Sequence, residues 1–249
     1  MRVNAKVMAN LVIEIGNTAI KVAWTQGVTL GKTMRYQGEK AREFLQSVLE
    51  KEKPFVMAVS SQKPLNEDEE VFLKNNCSHL LILDQEHKNI LRRHELPDYL
   101  SYDRAVALIA ARFLFKGKSC SVFDFGTTLT VDFLDSDGQY KGGNISLGCR
   151  TRFKSLNRYA KNLPLVDTPS EIVKTGSSLQ SSIEAGVISG IMFEIDGYIR
   201  RYPQNIVVFT GGDAIYFAQR LKNSIFAVSN MGLIGLAIIT DEYVKRNLI

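Results

Sequence analysis

The chain has 249 residues, of which 45% are hydrophobic and 23% are charged, so it is long and apolar enough to build two domains with buried cores. Its net charge of +5 is spread over single and paired Lys and Arg residues, which argues against nucleic acid as a partner and favours a small anion. Three cysteines without a CxxC pair exclude a disulfide framework and a structural zinc site.

The first half of the chain alternates apolar strands with amphipathic helices. A hairpin is predicted from Leu11 to Trp24, where apolar residues flank a glycine. Residues 84–100 have no clear period and contain Pro97, so we expect a long loop that carries function. The pattern predicts five further elements: helices at 43–51, 67–75 and 101–115, and strands at 55–59 and 80–83.

The second half repeats this alternation. Lys116-Gly117-Lys118 marks the expected boundary between domains 1–116 and 117–249. The predicted elements are a hairpin at 121–134, a glycine-rich bend at 142–148, a strand at 206–209, and helices at 150–161, 179–202, 214–221 and 232–246. The fold class is therefore α/β. No apolar run approaches the roughly 18 residues of a membrane span, and no signal-peptide core follows Met1, so we expect a cytoplasmic protein with no membrane partner.

The two hairpins carry the same turn motif, an acid, a glycine and a threonine at one spacing. The copies are Glu14-Ile15-Gly16-Asn17-Thr18 and Asp124-Phe125-Gly126-Thr127-Thr128. We expect each glycine to take the positive φ of a tight turn. Successive amides in such a turn bind anions, but the neighbouring acid would repel phosphate unless a cation lay between them. The repeat therefore predicts a metal–phosphate unit on each half and a duplicated nucleotide cleft.

Two further segments have both a structural and a functional interpretation. Thr210-Gly211-Gly212-Asp213-Ala214 joins a strand to a helix; its glycines either make a tight connection or let a phosphate or a flat ring lie against the backbone. Asp103, in the first turn of a predicted helix, is either a helix-start acid or a base for a hydroxyl proton. In the second case Arg104 would hold an anionic group. The residue pattern alone leaves both pairs open.

Taken together, the motifs resemble the type III pantothenate kinase family. They occur in the family's order and spacing: Glu14–Thr18 with Lys21, Ser101–Arg104, Asp124–Thr127, Gly142–Ile145 with Gly148, and Thr210–Gly212. The resemblance runs from about Leu11 to the C-terminal helix. It implies the actin/sugar-kinase fold, with duplicated ribonuclease-H-like domains and a nucleotide cleft between them, usually as a homodimer. No P-loop or Rossmann glycine motif competes with it.

The resemblance also implies the reaction and its cofactors. The family transfers the γ-phosphoryl group of ATP to the primary hydroxyl of pantothenate, giving 4'-phosphopantothenate in the first step of coenzyme A biosynthesis. It uses Mg²⁺ with ATP and a monovalent cation, K⁺ or NH₄⁺.

Residue by residue, the resemblance implies a role for each matching position. Asp103 matches the catalytic base and Asp124 the monovalent-cation ligand. The expected ATP and phosphate contacts are Glu14, Gly16, Asn17, Thr18, Lys21, Thr127, Gly211 and Gly212. The expected substrate contacts are His94, Ser101, Tyr102, Arg104 and Leu179.

Several positions depart from the family pattern. The family's aspartate, tyrosine, glycine, proline and threonine are replaced here by Glu14, His94, Ser101, Leu147 and Leu179. Most of the changes gather on the pantothenate side. They leave open a catalytically weakened member that acts as a nucleotide- or pantothenate-binding or regulatory protein.

A third alternative is a ribonuclease-H-like nuclease with Glu14, Asp124 and Asp132 as two-metal ligands. It leaves the glycine turns unexplained, and no basic patch supports it.

Overall fold

A computed structural model describes residues 9–50, 52–171 and 173–248. The predicted domain ends at Met1 and Ile249, and the predicted end of the first helix at Lys51, lie outside these residues. The chain divides into two units, one of residues 9–110 with 231–248 and one of residues 111–230.

The first unit is built on a mixed sheet of five strands. Its strands are β1 (Asn10–Ile15), β2 (Ile20–Gln26), β3 (Thr29–Tyr36), β4 (Val56–Ser61) and β5 (His79–Ile82), in the order β3-β2-β1-β4-β5. β1 runs antiparallel to β2 and parallel to β4. The helices are α1 (Ala41–Leu49), α2 (Glu67–Asn75), α3 (Leu83–Arg93) and α4 (Tyr102–Leu114), which continues past Ala110 into the second unit.

The second unit repeats this plan. Its strands are β6 (Cys120–Phe125), β7 (Thr128–Leu134), β8 (Tyr140–Leu147), β9 (Ile206–Gly211) and β10 (Ile225–Ala227), in the order β10-β9-β6-β7-β8. The helices are α5 (Cys149–Tyr159), α6 (Leu179–Arg201) and α7 (Ala214–Ala218). Each strand has a counterpart in the first sheet with the same direction of pairing. The predicted duplication is therefore confirmed.

The central strands of both sheets carry runs of buried apolar residues. Leu11, Val12 and Ile13 of β1 have no exposed surface, which matches the continuous apolar runs expected of parallel strands buried on both faces. In the second unit, Phe123 and Phe209 pack edge to face with ring centroids 5.2 Å apart. These cores hold the strand ends, and hence the hairpin turns, in fixed register.

The last helix, α8 (Met231–Asn247), packs against the first sheet. The glycine at position 235 lets α8 approach α4 closely, since a Cβ there would collide with the carbonyl oxygen of Val106. The predicted division at 116/117 differs from the two units of the structure at this point, because contacts distant in sequence decide where α8 belongs.

Two predicted elements are wrong. The predicted bend at 142–148 is for the most part strand, because β8 occupies Tyr140–Leu147 and pairs with β7. Residues 84–100 are not a single loop, because α3 occupies Leu83–Arg93. Its apolar residues Leu83, Ile90 and Leu91 are buried on one side, with acids in the first turn and Arg92 and Arg93 in the last, as the helix dipole favours. In the described part of the chain, no helix combines the length and apolarity needed to cross a membrane.

Candidate active site

The first turn motif closes the β1–β2 hairpin. The Gly16 N–H donates to the Ala19 carbonyl at 3.0 Å, so the strand ladder continues to this pair and only Asn17 and Thr18 lie between them. The positive φ expected at Gly16 and Gly126 is wrong: the described glycines in that region are Gly27, Gly38, Gly117, Gly138, Gly142 and Gly211. Gly16 instead allows a close approach, because a Cβ there would lie 3.2 Å from the Ala19 oxygen.

The acid of this motif is engaged inside the first unit. Glu14 and Lys21 face each other across β1 and β2, with Nζ 3.3 Å from Oε2 and side chains 30% and 29% exposed. On the other side the carboxylate lies against Gly232 at the start of α8, where a Cβ would be 3.1 Å from the Glu14 Cδ. Two predicted phosphate contacts, Glu14 and Lys21, are thus brought together.

Gln62 contacts the first turn motif, although the sequence predictions did not include it. Its N–H donates 3.0 Å to the Ile15 carbonyl, and its side-chain oxygen accepts a hydrogen bond from the Asn17 amide. The signal was available, because β1 and β4 are parallel and their carboxyl ends meet at one edge of the sheet. Residues that follow β4 were therefore candidates from the start.

The predicted base lies at the start of α4. Asp103 is half-buried and its Oδ1 accepts a hydrogen bond of 2.9 Å from the Arg104 N–H, so the carboxylate is oriented by its own helix turn. The Arg104 side chain is buried, with 7% exposed. Ser101, the preceding exposed residue, accepts the Ala105 N–H through its carbonyl at 3.0 Å. These contacts are compatible with both interpretations of Asp103, a helix-start acid and a general base whose carboxylate is held in a fixed orientation.

Tyr102 lies beside Asp103 in the same turn. Burial raises the pKa of Tyr102 to about 12, and the neighbouring charges of Asp103 and Asp84 add to the shift. Its hydroxyl therefore stays protonated at neutral pH and can donate to a bound ligand. His87, which the sequence analysis treated as a loop residue, packs edge-on to the Tyr102 ring and bonds the Leu100 carbonyl at 2.7 Å.

His94 occupies the position of the family's substrate-contacting tyrosine. It lies just after α3 with its side chain 15% exposed, and its Nε2 is 3.2 Å from Oε2 of Glu242 on α8. This hydrogen bond is the main reason why the pKa of Glu242 lies below its ordinary value, while partial burial of Glu242 opposes the shift. His94 thus joins the segment before α4 to the last helix.

The second turn motif is held against the strand that ends in Gly211. Asp124 pairs with Thr210 and Phe125 with Gly211 in the parallel ladder. Gly211 has a φ of +93°, and a Cβ there would collide with the Asp124 carboxylate and with the backbone of Phe125. The Gly212 N–H donates to the Phe125 carbonyl at 2.8 Å. The predicted cation ligand and the predicted nucleotide turn are therefore brought together.

Gly148, which directly follows β8, packs against the second turn motif. The Thr127 carbonyl accepts the Gly148 N–H at 3.0 Å and the Thr151 hydroxyl at 2.7 Å. A Cβ at Gly148 would collide with the Gly126 oxygen. Only a glycine fits at position 148, whereas Leu147, in the proline position of the family, makes no such demand.

Leu179 begins α6. Ser178 caps this helix and shares a capping box with Ser181, which fixes where the helix starts. The Leu179 side chain is 56% exposed and lines a groove of about 780 Å³ between α5 and α6, together with Arg152, Tyr159, Ser182, Gly186 and Val187. The structure places Leu179 in a different unit from His94, Ser101, Tyr102 and Arg104.

Metal ligation was tested on the same residues. Within ranges 9–50, 52–171 and 173–248, no group of three or more His, Cys, Asp or Glu side chains is placed to hold an ion. Asp132, a ligand in the nuclease alternative, is 3% exposed and accepts the Tyr140 hydroxyl at 3.0 Å. The Asp132 carboxylate is therefore buried and hydrogen-bonded to a residue of the same sheet.

Comparison with known proteins identifies the family. The family model described as Type III pantothenate kinase matches residues 10–201. The chain belongs to the type III pantothenate kinase family.

Relatives in this kinase family match almost end to end. The type III pantothenate kinase of Bacteroides fragilis is 37% identical over 233 residues, which is 91% of this chain and 95% of that protein. That of Cytophaga hutchinsonii is 36% identical, covering 91% and 96%. A solved structure, the activator of the 2-hydroxyisocaproyl-CoA dehydratase from Clostridium difficile with bound ADPNP, has a TM-score of 0.55 at 13% identity, with 96% of each chain covered. This last likeness concerns the fold alone, the actin/sugar-kinase fold expected from the duplicated sheets.

Proposed function

We propose that the protein transfers the γ-phosphoryl group of ATP to the primary hydroxyl of pantothenate, the first step of coenzyme A biosynthesis. The observation that carries the proposal is the family match over residues 10–201, a range that includes Asp103 at the start of α4 and both turn motifs. Since ATP and the path to coenzyme A belong to the cytoplasm, we propose that location as well.

In the proposed reaction Asp103 is the general base. Its carboxylate, oriented by the Arg104 N–H, accepts the proton of the pantothenate hydroxyl as that oxygen attacks the γ-phosphorus. The bond between the γ-phosphorus and the bridging oxygen breaks, and ADP leaves with the electron pair. Orienting the alcohol in line with the phosphoryl group is the main contribution that a kinase makes to such a step.

The nucleotide contacts follow from the two turns and from the turn after β9. Gly16, Asn17, Thr18 and Lys21 would contact phosphate in the first unit. Thr127, Gly211 and Gly212 would contact ATP in the second, where Gly211 leaves backbone accessible beside Asp124.

Two cations belong to the proposal. Asp124 is a half-buried carboxylate, an oxygen donor of the type that hard cations prefer, and would hold K⁺ or NH₄⁺. Glu14 would help to bind the Mg²⁺ that accompanies ATP, and its ion pair with Lys21 orients its carboxylate. When bound, the cations neutralise charge on the phosphoryl oxygens.

On the acceptor side, Ser101, Tyr102 and Arg104 would bind pantothenate together with His94. Arg104 supplies a buried guanidinium, which suits the pantothenate carboxylate. We also propose a homodimer. Leu179 (56% exposed) lines a groove with Gly186, and Phe193 (72% exposed) lines another with Gly186 and Gly190. Such a surface of exposed apolar and small residues supports close helix packing between subunits.

The decisive assay is steady-state formation of phosphopantothenate with ATP and Mg²⁺, with and without K⁺. Asp103→Asn should lower kcat by about 100-fold or more, since a lost general base costs roughly that much. Asp98→Asn, an exposed acid before the same helix, is the matched control and should leave the rate unchanged. Absence of turnover in the wild-type chain with both substrates and both cations saturating would contradict the proposal.

One observation favours the weakened or regulatory alternative. Three residues that depart from the family pattern have contacts within their own unit. Glu14 pairs with Lys21, His94 contacts Glu242, and Leu179 lines an apolar groove. If this alternative holds, calorimetry detects nucleotide or pantothenate binding without phosphoryl transfer, and the double variant Glu14→Asp with Leu179→Thr gains large activity.

A further inference from the structure

Two side chains near α7 hold the connection between α5 and α6 by consecutive backbone carbonyls. The Tyr216 hydroxyl donates to the Pro169 carbonyl at 2.8 Å. Arg220, two residues beyond the end of α7, donates from Nη2 to the Ser170 carbonyl at 2.7 Å. The pair Tyr216 and Arg220 is called the clamp below.

The clamp is itself a rigid unit. The Arg220 guanidinium carbon lies 3.6 Å from the centroid of the Tyr216 ring, and its Nη1 donates to the Tyr216 carbonyl at 2.7 Å. Stacking on the ring and one hydrogen bond within the clamp restrict the guanidinium, and its second hydrogen bond is the one to the Ser170 carbonyl. Burial raises the pKa of Tyr216 above its ordinary value, so the hydroxyl remains a donor.

The clamp connects two segments that the proposed reaction uses, the turn before α7 and the chain that leads into α6. On one side, α7 follows directly from Gly211 and Gly212, the proposed nucleotide turn. On the other side, the chain beyond Ser170 leads to Gly176, where a Cβ would collide with the backbone of Ser182 in the first turn of α6. The next residues are the cap of α6 and Leu179.

Upstream of the clamp the connection is also anchored. Val166 is buried in the core of the unit, and the Thr168 hydroxyl lies 3.5 Å from the thiol of Cys149 at the start of α5. Downstream, Val173 is 45% exposed. The clamp therefore holds the connection at Pro169 and Ser170, and further along the chain Gly176 lies in close contact with Ser182.

We propose that Tyr216 and Arg220 are positioning residues for the acceptor: by fixing the Pro169 and Ser170 carbonyls to α7, they set the path of the chain into Leu179 and so the affinity for pantothenate. This inference rests on the proposed function, because it takes the start of α6 as part of the pantothenate site. Neither residue touches the reacting atoms.

The test uses the full chain with two conservative variants, Tyr216→Phe and Arg220→Lys. Tyr216→Phe removes the hydrogen bond to the Pro169 carbonyl and keeps the ring. Arg220→Lys keeps the positive charge but loses the planar guanidinium that bonds the Tyr216 and Ser170 carbonyls together. We expect the KM for pantothenate to rise about 3- to 10-fold, the range for one lost hydrogen bond, with the KM for ATP and kcat within about twofold of wild type. Arg201→Lys is the matched control, because Arg201 also lies over a tyrosine, Tyr202, at 6.0 Å but on the far end of α6.

A second readout does not depend on activity. Amide hydrogen exchange in peptides covering 173–178 should be faster in both clamp variants than in the wild type and in Arg201→Lys, with equal Tm. If exchange rises in the variants but neither they nor the wild type turn over pantothenate, the clamp holds the connection as described, and the proposed function fails together with the acceptor role that rests on it. Unchanged exchange, or an unchanged KM for pantothenate in an active enzyme, would overturn the clamp.

Discussion

The carboxylate of Glu14 lies against Gly232, the second residue of α8, where a Cβ would be 3.1 Å from both Cδ and Oε2. The same helix carries Gly235 against the carbonyl of Val106 in α4. One helix therefore supports the acid of the first phosphate turn and, one turn further on, the helix that bears Asp103. The Glu14 carboxylate fits against α8 because residue 232 is a glycine.

Gly232→Ala should displace Glu14. The methyl group would have to share space with the carboxylate, so we expect the KM for ATP to rise several-fold while the fold is kept. Adding Glu14→Asp, which shortens the acid by one methylene, should recover most of the loss. The cycle is measured by steady-state kinetics on the two single variants and the double variant.

The control for this cycle is Gly197→Ala on α6, where a Cβ would meet nothing within 4 Å. A helical alanine there should stabilise the protein by roughly 0.5–1 kcal/mol relative to glycine and leave the KM for ATP unchanged. Additive effects of Gly232→Ala and Glu14→Asp would contradict the pairing.

Gly235→Ala should destabilise the first unit. Its Cβ would collide with the Val106 carbonyl, a backbone atom that moves only with α4, so we expect a loss of about 1–3 kcal/mol in the free energy of unfolding. Urea unfolding followed by circular dichroism measures it, again beside Gly197→Ala. Equal midpoints for the two variants would show that α4 and α8 do not approach as described.

The His94–Glu242 contact should make stability depend on acid pH. The pKa of Glu242 is lowered in the folded state from its ordinary 4.5, chiefly by the hydrogen bond to His94. Its contribution is therefore present above about that ordinary pKa and is lost as the pH falls through the lower folded value. Wild type should be more stable than Glu242→Gln at pH 7, and the difference should shrink toward pH 3.

Unfolding midpoints of the two proteins across this range provide the measurement. Glu52→Gln, an exposed acid in the same unit, should show no such convergence. A difference between wild type and Glu242→Gln that stayed constant down to acid pH would mean that the carboxylate is not stabilised by its partner.

Phe193→Glu tests the proposed dimer. Phe193 is 72% exposed on α6, and a charge there should prevent packing of two apolar surfaces. We expect a monomer by sedimentation and a loss of pantothenate turnover of about 10-fold or more, because the same helix carries Leu179, a proposed substrate contact. Val71→Glu, on an exposed apolar residue of α2 (56%), is the control. A monomer with full activity would contradict the proposal.

Local patterns predicted most of the fold. Both hairpins follow from apolar runs around a glycine, and the repeat of Glu14 and Asp124 at a fixed offset revealed the duplication. The helix α3 was missed because polar residues outnumber its three buried ones and Pro97 follows nearby. The path of α8 was missed because its contacts with β1 and α4 are distant in sequence, and no local period encodes them.

The site residues show the same division. The roles of Asp103 and Asp124 stay predictions from spacing and resemblance, whereas the contacts that Gln62, His87 and Gly232 make with the motif residues required the register of parallel strands and the packing of helices. The turn glycines were predicted for the wrong reason: Gly16 provides close approach to Ala19 and Gly148 to Gly126, while a positive φ is needed at Gly211.

Because α8 completes the first unit, the packing of the first sheet cannot be finished until residues 231–248 have been synthesised. Residues 111–230 form an uninterrupted unit and are able to fold while the chain is still attached to the ribosome. The first sheet must wait with one side uncovered until the final helix emerges, so the half that was translated first is the half that matures last.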